Sequence, residues 1–181
     1  MNVGIISNRE SIATALNNAV NEVNHFVDGL DESSFERAPE GKWNAGQQLN
    51  HLLRSIQPLN LAYRLPWFAL KLMFGSANRP SRTYSGLVEK YESRLAQGGQ
   101  ATGRFIPKAI PFSQKGQLIN QYEKQKQKLI KRVSKYDEEA LDQYVLPHPL
   151  LGKLTLREML FFTIHHNAHH LHLIRKYSQF S

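Results

Sequence analysis

Apolar residues recur at close to every 3.6 positions in four long stretches of the chain, which is the period of an amphipathic α-helix. The first stretch covers residues 8–30, the second 43–56 and the third 114–135. The fourth begins at Thr155 and ends at about Lys176. The pattern therefore predicts four long helices, each with one apolar face turned toward a shared core.

The starts of two of these helices carry a recognisable capping pattern. Asn44 precedes the second helix and is followed three residues later by Gln47. Thr155 precedes the fourth helix and is followed three residues later by Glu158. In such a capping box, the side chain of each residue hydrogen-bonds to the backbone N–H of the other. Both helices are therefore expected to begin at these positions.

The segment between the second and third helices breaks the helical period. Residues 74–86 and 98–112 are rich in Gly, Pro and Ser, and a short helix is predicted between them at about 86–96. Long irregular connections inside a domain are usually functional. We expect this basic insertion, at about 57–112, to form a crossover or a lid over a pocket.

Proline and turn-forming residues indicate two further breaks. Pro58 and Pro66 are expected to kink or divide the chain after the second helix, because proline lacks the backbone N–H that a helix interior uses. Residues 144–155 are predicted to form a connection with a short extended turn before the last helix.

The length and composition fit one folded domain. The chain has 181 residues, of which 41% are hydrophobic and 10% aromatic, enough for a substantial core. It shows no internal repeat and no linker long enough to separate domains, so a single domain over residues 1–181 is expected. Four long helices in one domain predict an all-α fold, a four-helix bundle with a long irregular insertion between the second and third long helices.

The net charge of +8 would permit contact with nucleic acid or an anionic surface. The basic residues are dispersed, however, and the only dense run is KQKQKLIKRVSK at 124–135. Apolar residues interrupt this run at helical spacing, and few aromatic residues accompany it. We interpret the run as the solvated face of a helix, so nucleic acid is not the expected partner.

The chain contains no cysteine, which excludes disulfides, thiolate metal ligands and a cysteine nucleophile. The first residues lack the basic start, apolar run and cleavage site of a signal peptide. The most apolar stretch, residues 59–75, is interrupted by Arg64, Pro66 and Lys71 and is not expected to span a membrane. A cytoplasmic protein is therefore predicted.

Five of the eight histidines lie in one stretch of the last helix, FTIHHNAHHLHLI at 162–174. Advancing about 100° per residue around the helix divides them into two groups. His166 and His170 fall at the edge of the apolar stripe, between the bundle core and a cleft. The other three fall on the opposite side, where a solvated face is the favoured interpretation: His165, His169 and His172.

Two histidines at i and i+4 can reach a single metal ion, because their side chains project from one helix face about one turn apart. Imidazole suits Zn, Ni, Cu and Fe. Two nitrogens alone bind weakly, so a third ligand from another element is required. The candidates are His25, His51 and His148, and for His51 spacing alone leaves a metal ligand and a solvent-facing histidine equally open.

The stretches KWNAGQQLNHLLRS and HPLLGKLTLREMLFFTIHHNAHHLHLI together resemble the DinB-like superfamily. The first resembles its pattern of a Trp followed eight residues later by a His-Leu pair, and the second its Gly-x-Leu-Thr start and His-x-x-His-His ending. The resemblance implies a DinB/YfiT-type bundle with up-down-down-up helices, often a homodimer. It also implies a divalent metal bound by His51, His166 and His170, with Zn or Ni the expected ion.

The same resemblance implies either a metal-dependent hydrolase or an S-transferase that uses a low-molecular-weight thiol, with an unknown small-molecule substrate. Glu158 is better explained as a cap, and no other carboxylate lies inside either histidine motif, which favours activation of a thiolate over hydrolysis with a general base. The alternative is a non-catalytic helical bundle that binds a small molecule or a partner. Two positions depart from the family pattern: Asn44 replaces a Ser or Thr, and Leu173 replaces a Gln or His.

Overall fold

The computed structural model describes residues 6–179, which form eight α-helices and one two-stranded antiparallel sheet. The predicted domain over residues 1–181 extends beyond the described residues at both ends. The helices and strands are α1 (Arg9–Asp28), α2 (Glu32–Glu36), α3 (Ala45–Ala62), α4 (Trp67–Phe74), α5 (Tyr84–Ala96), α6 (Lys115–Val133), α7 (Glu138–Gln143), β1 (Val145–His148), β2 (Gly152–Thr155) and α8 (Leu156–Ser178).

The four long helices enclose the hydrophobic core. Helix α1 packs against α6 and α8, and α3 packs against the same two helices. Each long helix therefore buries its apolar face against two others, as their 3.6-residue period predicts. The buried residues of α1 recur at helical spacing and include Ile12, Leu16, Val20 and Val23, while Phe26 of the same apolar pattern is only partly buried.

The protein is mostly helical rather than strictly all-α, because the connection before the last helix is a β-hairpin. Strand β1 pairs with β2 so that Val145 lies opposite Thr155 and His148 opposite Gly152. The predicted short extended turn is therefore a regular hairpin. Gly152 has a φ of 75°, a left-handed conformation that favours glycine at this turn.

Helix α3 continues beyond its predicted end at residue 56, and Pro58 lies inside it. Leu59 is buried in the core, and the side chain of Asn60 donates to the backbone carbonyl of Gln125 on α6 at 2.8 Å. These contacts offset the one backbone hydrogen bond that the proline removes. Pro66, in contrast, does divide the chain, since it lies at the N-cap of α4.

The insertion contains more regular structure than its composition predicts. Helix α5 matches the expected short helix, but α4 was not expected. Its sequence, WFALKLMF, is apolar on all sides and has no helical period that could reveal it. Leu72 of α4 is 87% exposed, and three more of its large side chains are also exposed: Trp67, Phe68 and Met73.

The dense basic run lies on α6 and is largely the solvated face that the sequence predicts. Lys124, Lys128 and Lys131 are exposed. Lys126 is an exception, since it is buried and bonds to Asn21 at 2.6 Å and to Glu123 at 2.8 Å. Within residues 6–179, no helix is both long and apolar enough to cross a membrane.

Glu158 joins the start of α8 to the insertion. Its backbone and side chain complete the predicted capping box with Thr155. The same carboxylate, fully buried, accepts a bidentate pair of hydrogen bonds from Arg79 at 2.7 and 2.8 Å. Arg82 adds two more, from its backbone N–H at 2.8 Å and its guanidinium at 3.0 Å.

Burial raises the pKa of Glu158, but the hydrogen bonds from Arg79, Arg82 and Thr155 outweigh it and leave the pKa below its usual value. A carboxylate whose pKa is depressed on folding stabilises the folded state above its unfolded pKa. That stabilisation is lost as the pH falls from about 4.5 through the folded-state pKa.

We predict that Glu158→Gln lowers the free energy of unfolding by about 2 kcal/mol at pH 7, because it leaves two arginines without their anion. The figure is below the roughly 3–5 kcal/mol that breaking a fully buried ion pair costs, since both arginines are about one-third exposed. Below pH 4.5, the free energy of unfolding measured with urea should also fall less steeply with pH in the variant than in the wild type. Glu89→Gln, at an exposed position in the middle of α5, is the control and should change neither quantity.

Candidate metal centre

Helices α3 and α8 bring His51, His166 and His170 together. The capping boxes at Asn44 and Thr155 fix where the two helices begin, and the helices pack against each other. His51 is 6% exposed, His166 5% and His170 4%. The edge of the apolar stripe, where the 100° spacing places His166 and His170, is therefore buried against α3.

The three imidazoles meet through their Nε2 atoms. Nε2 of His166 lies 3.1 Å from Nε2 of His51 and 2.9 Å from Nε2 of His170. One nitrogen from each ring lies within 4.8 Å of the other two, so the three residues could hold a metal ion. In the part of the chain that the structure describes, this is the one group of three or more His or acidic side chains with such geometry.

The partner of His51 determines which of its nitrogens carries the proton. Nδ1 of His51 lies 2.6 Å from the backbone carbonyl oxygen of Phe105, which can only accept a hydrogen bond. Nδ1 must therefore carry the proton and donate it, and Nε2 of the neutral ring has a free lone pair. Phe105 closes a short 3₁₀ turn, Gly103–Phe105, in the insertion.

His170 is oriented in the same way by a side chain of α3. Its Nδ1 is hydrogen-bonded to Oε1 of Gln48. The amide of Gln48 is itself fixed, because its Nε2 donates to the backbone carbonyl of Trp43 at 3.2 Å. Nδ1 of His170 is thus the donor, and its Nε2 lone pair faces the other two rings.

Burial keeps these rings neutral. It lowers the pKa of His51 and lowers those of His166 and His170 well below the usual histidine value. The neighbouring imidazoles lower the pKa of His166 further, because a second positive charge there would be repelled. Neutral imidazole is the form that binds a metal ion.

The donor set fits a divalent ion with nitrogen ligands. Zn–N bonds of about 2.0–2.1 Å in a tetrahedral site place two ligand nitrogens about 3.3 Å apart, close to the 3.1 and 2.9 Å found between these rings. Hydrogen-bonded outer nitrogens, as in His51 and His170, are the usual support of metal-binding histidines. Three neutral nitrogens leave one position open for a water or a substrate, the arrangement of catalytic rather than structural zinc sites.

None of the other five histidines belongs to this group of three, and only His25 and His172 of them are exposed. On the opposite side of α8, Nε2 of His165 bonds to the exposed Glu92 at 2.8 Å, and His172 is exposed. His165 and His169 are half-buried rather than solvated as predicted, because Tyr91 packs against both rings. His25 is exposed on α1, and His148 lies in strand β1.

Aromatic rings surround the three histidines. The ring of Trp43, from the first motif, lies 5.1 Å from that of His51 and 6.4 Å from that of His170. Phe162 stacks on His166 at 4.7 Å with an angle of 26° between the rings. These contacts limit the rotation of the imidazoles and exclude water from one side of each ring.

The three histidines line a cavity of about 550 Å³ between the long helices, the insertion and the hairpin. Its walls are mainly apolar, and residues of the insertion line one side. Several polar or aromatic residues of the lining were not predicted, since they come from distant parts of the chain: Gln48, Tyr91, Arg104, Phe105 and Tyr122.

Comparison with known families agrees with this geometry. A family model described as the DinB superfamily matches residues 15–174. The chain belongs to the DinB superfamily. No curated protein and no solved structure matched this DinB-superfamily chain.

The family match spans both histidine motifs and the insertion between them. Asn44, which departs from the family pattern, still caps α3, since it accepts from the backbone N–H of Gln47 at 2.9 Å. Leu173, the second departure, adds an apolar side chain to the cavity wall instead of a polar one.

We predict that Gln48→Ala weakens Zn²⁺ binding about tenfold to a hundredfold, because it removes the acceptor that orients His170. Gln48→Glu should retain most of the affinity, since a carboxylate oxygen accepts the same hydrogen bond. Competition with a chromophoric chelator measures both constants. Gln100→Ala, at an exposed position of the same cavity, serves as the control; equal losses in both alanine variants would contradict the assigned role of Gln48.

Proposed function

We propose that the chain is a divalent-metal protein in which His51, His166 and His170 are the ligands and Zn or Ni is the ion. The convergence of three buried Nε2 atoms supports this assignment. The four long helices would then form the up-down-down-up bundle of the DinB/YfiT type in a single domain. The contacts of each long helix with two others support a bundle. A cytoplasmic location and a homodimer belong to the same proposal.

The activity that the site favours is transfer of a low-molecular-weight thiol to an electrophilic carbon. The observation that carries this choice is the lining of the cavity, where the described residues include no aspartate and no glutamate. Hydrolysis by a metal-bound water commonly uses a carboxylate as general base. A thiol needs no such base once its pKa is low, because its proton can leave to solvent.

In this reaction the bound divalent ion supplies the positive charge that lowers the pKa of a thiol. The sulfur lone pair then forms a C–S bond with the electrophile, and the leaving group departs with its bonding electrons. His51 and His170 are held in one tautomer by Phe105 and Gln48. The apolar walls exclude water and thereby favour transfer over hydrolysis of the electrophile.

We predict that the purified protein binds about one divalent ion per chain. His51→Ala, His166→Ala and His170→Ala should each abolish this binding, because two imidazoles alone hold an ion weakly. His165→Ala is the matched control: it removes a histidine from the opposite side of the same helix and should leave binding unchanged. Elemental analysis after dialysis, with calorimetric Zn²⁺ titration, measures the stoichiometry and the affinity.

The opposite pattern would refute the ligand assignment. If His165→Ala removed the ion and His166→Ala spared it, the wrong face of α8 would have been chosen. If all four variants kept the ion, the site would lie elsewhere. Circular dichroism of each variant shows whether a loss of metal reflects a loss of fold.

We predict that the Zn²⁺-loaded protein accelerates the reaction of bacillithiol or mycothiol with monochlorobimane, and that His170→Ala loses the acceleration. Fluorescence of the thioether product follows the reaction, and the same samples are tested against ester and amide substrates. Faster hydrolysis than thiol transfer would favour a metal-dependent hydrolase. No turnover in either assay would favour the non-catalytic bundle that binds a small molecule.

A further inference from the structure

His148 lies in the hairpin that precedes α8 and belongs to neither group of α8 histidines. Its Nδ1 accepts hydrogen bonds from the backbone N–H groups of Leu150 at 3.2 Å and Leu151 at 3.1 Å. An imidazole nitrogen that accepts carries no proton. The proton of the neutral ring must therefore lie on Nε2, the opposite tautomer to that of His51 and His170.

The surroundings of His148 keep this ring neutral. Burial lowers its pKa to about 4, and the nearby charge of Lys90 contributes to the shift. The ammonium group of Lys90 donates to the carbonyl oxygen of Leu151 at 2.7 Å, which holds it close to the turn. At neutral pH, His148 is therefore a fixed N–H donor and does not carry a charge.

The Nε2–H group of His148 has no acceptor among residues 6–179. Within those residues, the one fully buried side-chain nitrogen or oxygen atom without a partner is Oδ1 of Asn24. Nε2 of His148 is consequently accessible. His148 lines the same cavity as the three histidines, so an accessible Nε2–H group is available to a molecule bound there.

Two successive ring contacts connect His148 to His166, one of the proposed metal ligands. Its ring packs edge-on against Phe162 at 4.3 Å, and Phe162 stacks on His166. Two cationic side chains also line the cavity, Lys42 and Arg104, and no described lining residue is acidic. Both cations are exposed, and the rest of the described lining is neutral and mostly apolar.

We propose that the cavity binds an organic anion with an apolar body, and that His148 donates its Nε2–H to an acceptor atom of that anion. The proposal rests on the proposed function, since it describes the substrate of the same site. In this role His148 binds the substrate through its Nε2–H group. That group contributes neither to metal binding nor to the stability of the fold. The charge of Lys42 and Arg104 would add to the attraction for the anion.

Two substitutions separate this role from the role of His148 in the turn. In His148→Asn, the side-chain oxygen can take the place of Nδ1 and accept from the backbone, but no donor reaches the position of Nε2. In His148→Gln, the longer amide can place an N–H near the position of Nε2, but the acceptor for Leu150 and Leu151 is lost. A purely structural histidine would tolerate Asn better than Gln.

The test is calorimetric titration of benzoate into the wild-type protein and both variants, with and without Zn²⁺. His148→Asn should bind benzoate about tenfold to a hundredfold more weakly, the effect of losing a hydrogen bond to a charged group. His148→Gln should stay within a few-fold of the wild type, even if its melting temperature falls. Nitrobenzene, an uncharged molecule of similar shape, is the control and should bind both variants alike.

Each outcome decides the proposal. Unchanged benzoate affinity in His148→Asn, or equal losses for benzoate and nitrobenzene, would overturn it, as would no benzoate binding by the wild type.

Zn²⁺ titration of the same samples is independent, because His148 is not a proposed ligand. Failure of the wild type to bind Zn²⁺ would contradict the proposed function, while the benzoate comparison would still decide the role of His148. A long-range ¹H–¹⁵N spectrum that placed the proton on Nδ1 would also overturn it.

Discussion

The mutual approach of three neutral imidazole nitrogens in a buried space is the constraint on which the site depends. Hydrogen bonds to Phe105 and Gln48 turn the Nε2 lone pairs of His51 and His170 toward Nε2 of His166. Lone pairs that face one another without enough protons to share are unfavourable in an interior of low dielectric constant. A divalent cation would remove this cost, and this is the physical reason for assigning one.

The rest of the fold serves to keep these groups in place. Capping boxes begin α3 and α8 at fixed residues, and packing between the two helices sets the distance of His51 from the α8 pair. Glu158 joins α8 to the insertion through Arg79 and Arg82. The insertion in turn supplies the Phe105 carbonyl and one wall of the cavity. Loss of helix packing or of the insertion would therefore disturb the same site.

Sequence reasoning found the elements whose information is local. Helical period and capping boxes gave the four long helices, and the angular positions of His166 and His170 separated them from the other three histidines of α8. His51 required the family resemblance, because spacing on α3 alone could not distinguish a buried ligand from a solvent-facing side chain. The supporting acceptors were not predictable, since Phe105 is 54 residues from His51 and Gln48 is 122 residues from His170. Helix α4 was missed because an apolar segment without period has no helical signature.

Anomalous diffraction, measured from crystals at the absorption edges of zinc and nickel, locates the bound ion and identifies its ligands together. We expect one peak per chain, bonded to Nε2 of His51, His166 and His170, with a fourth position open to solvent or ligand. A peak at His165 and Glu92, or the absence of a peak from protein supplied with either ion, would contradict the assignment of these three histidines as metal ligands.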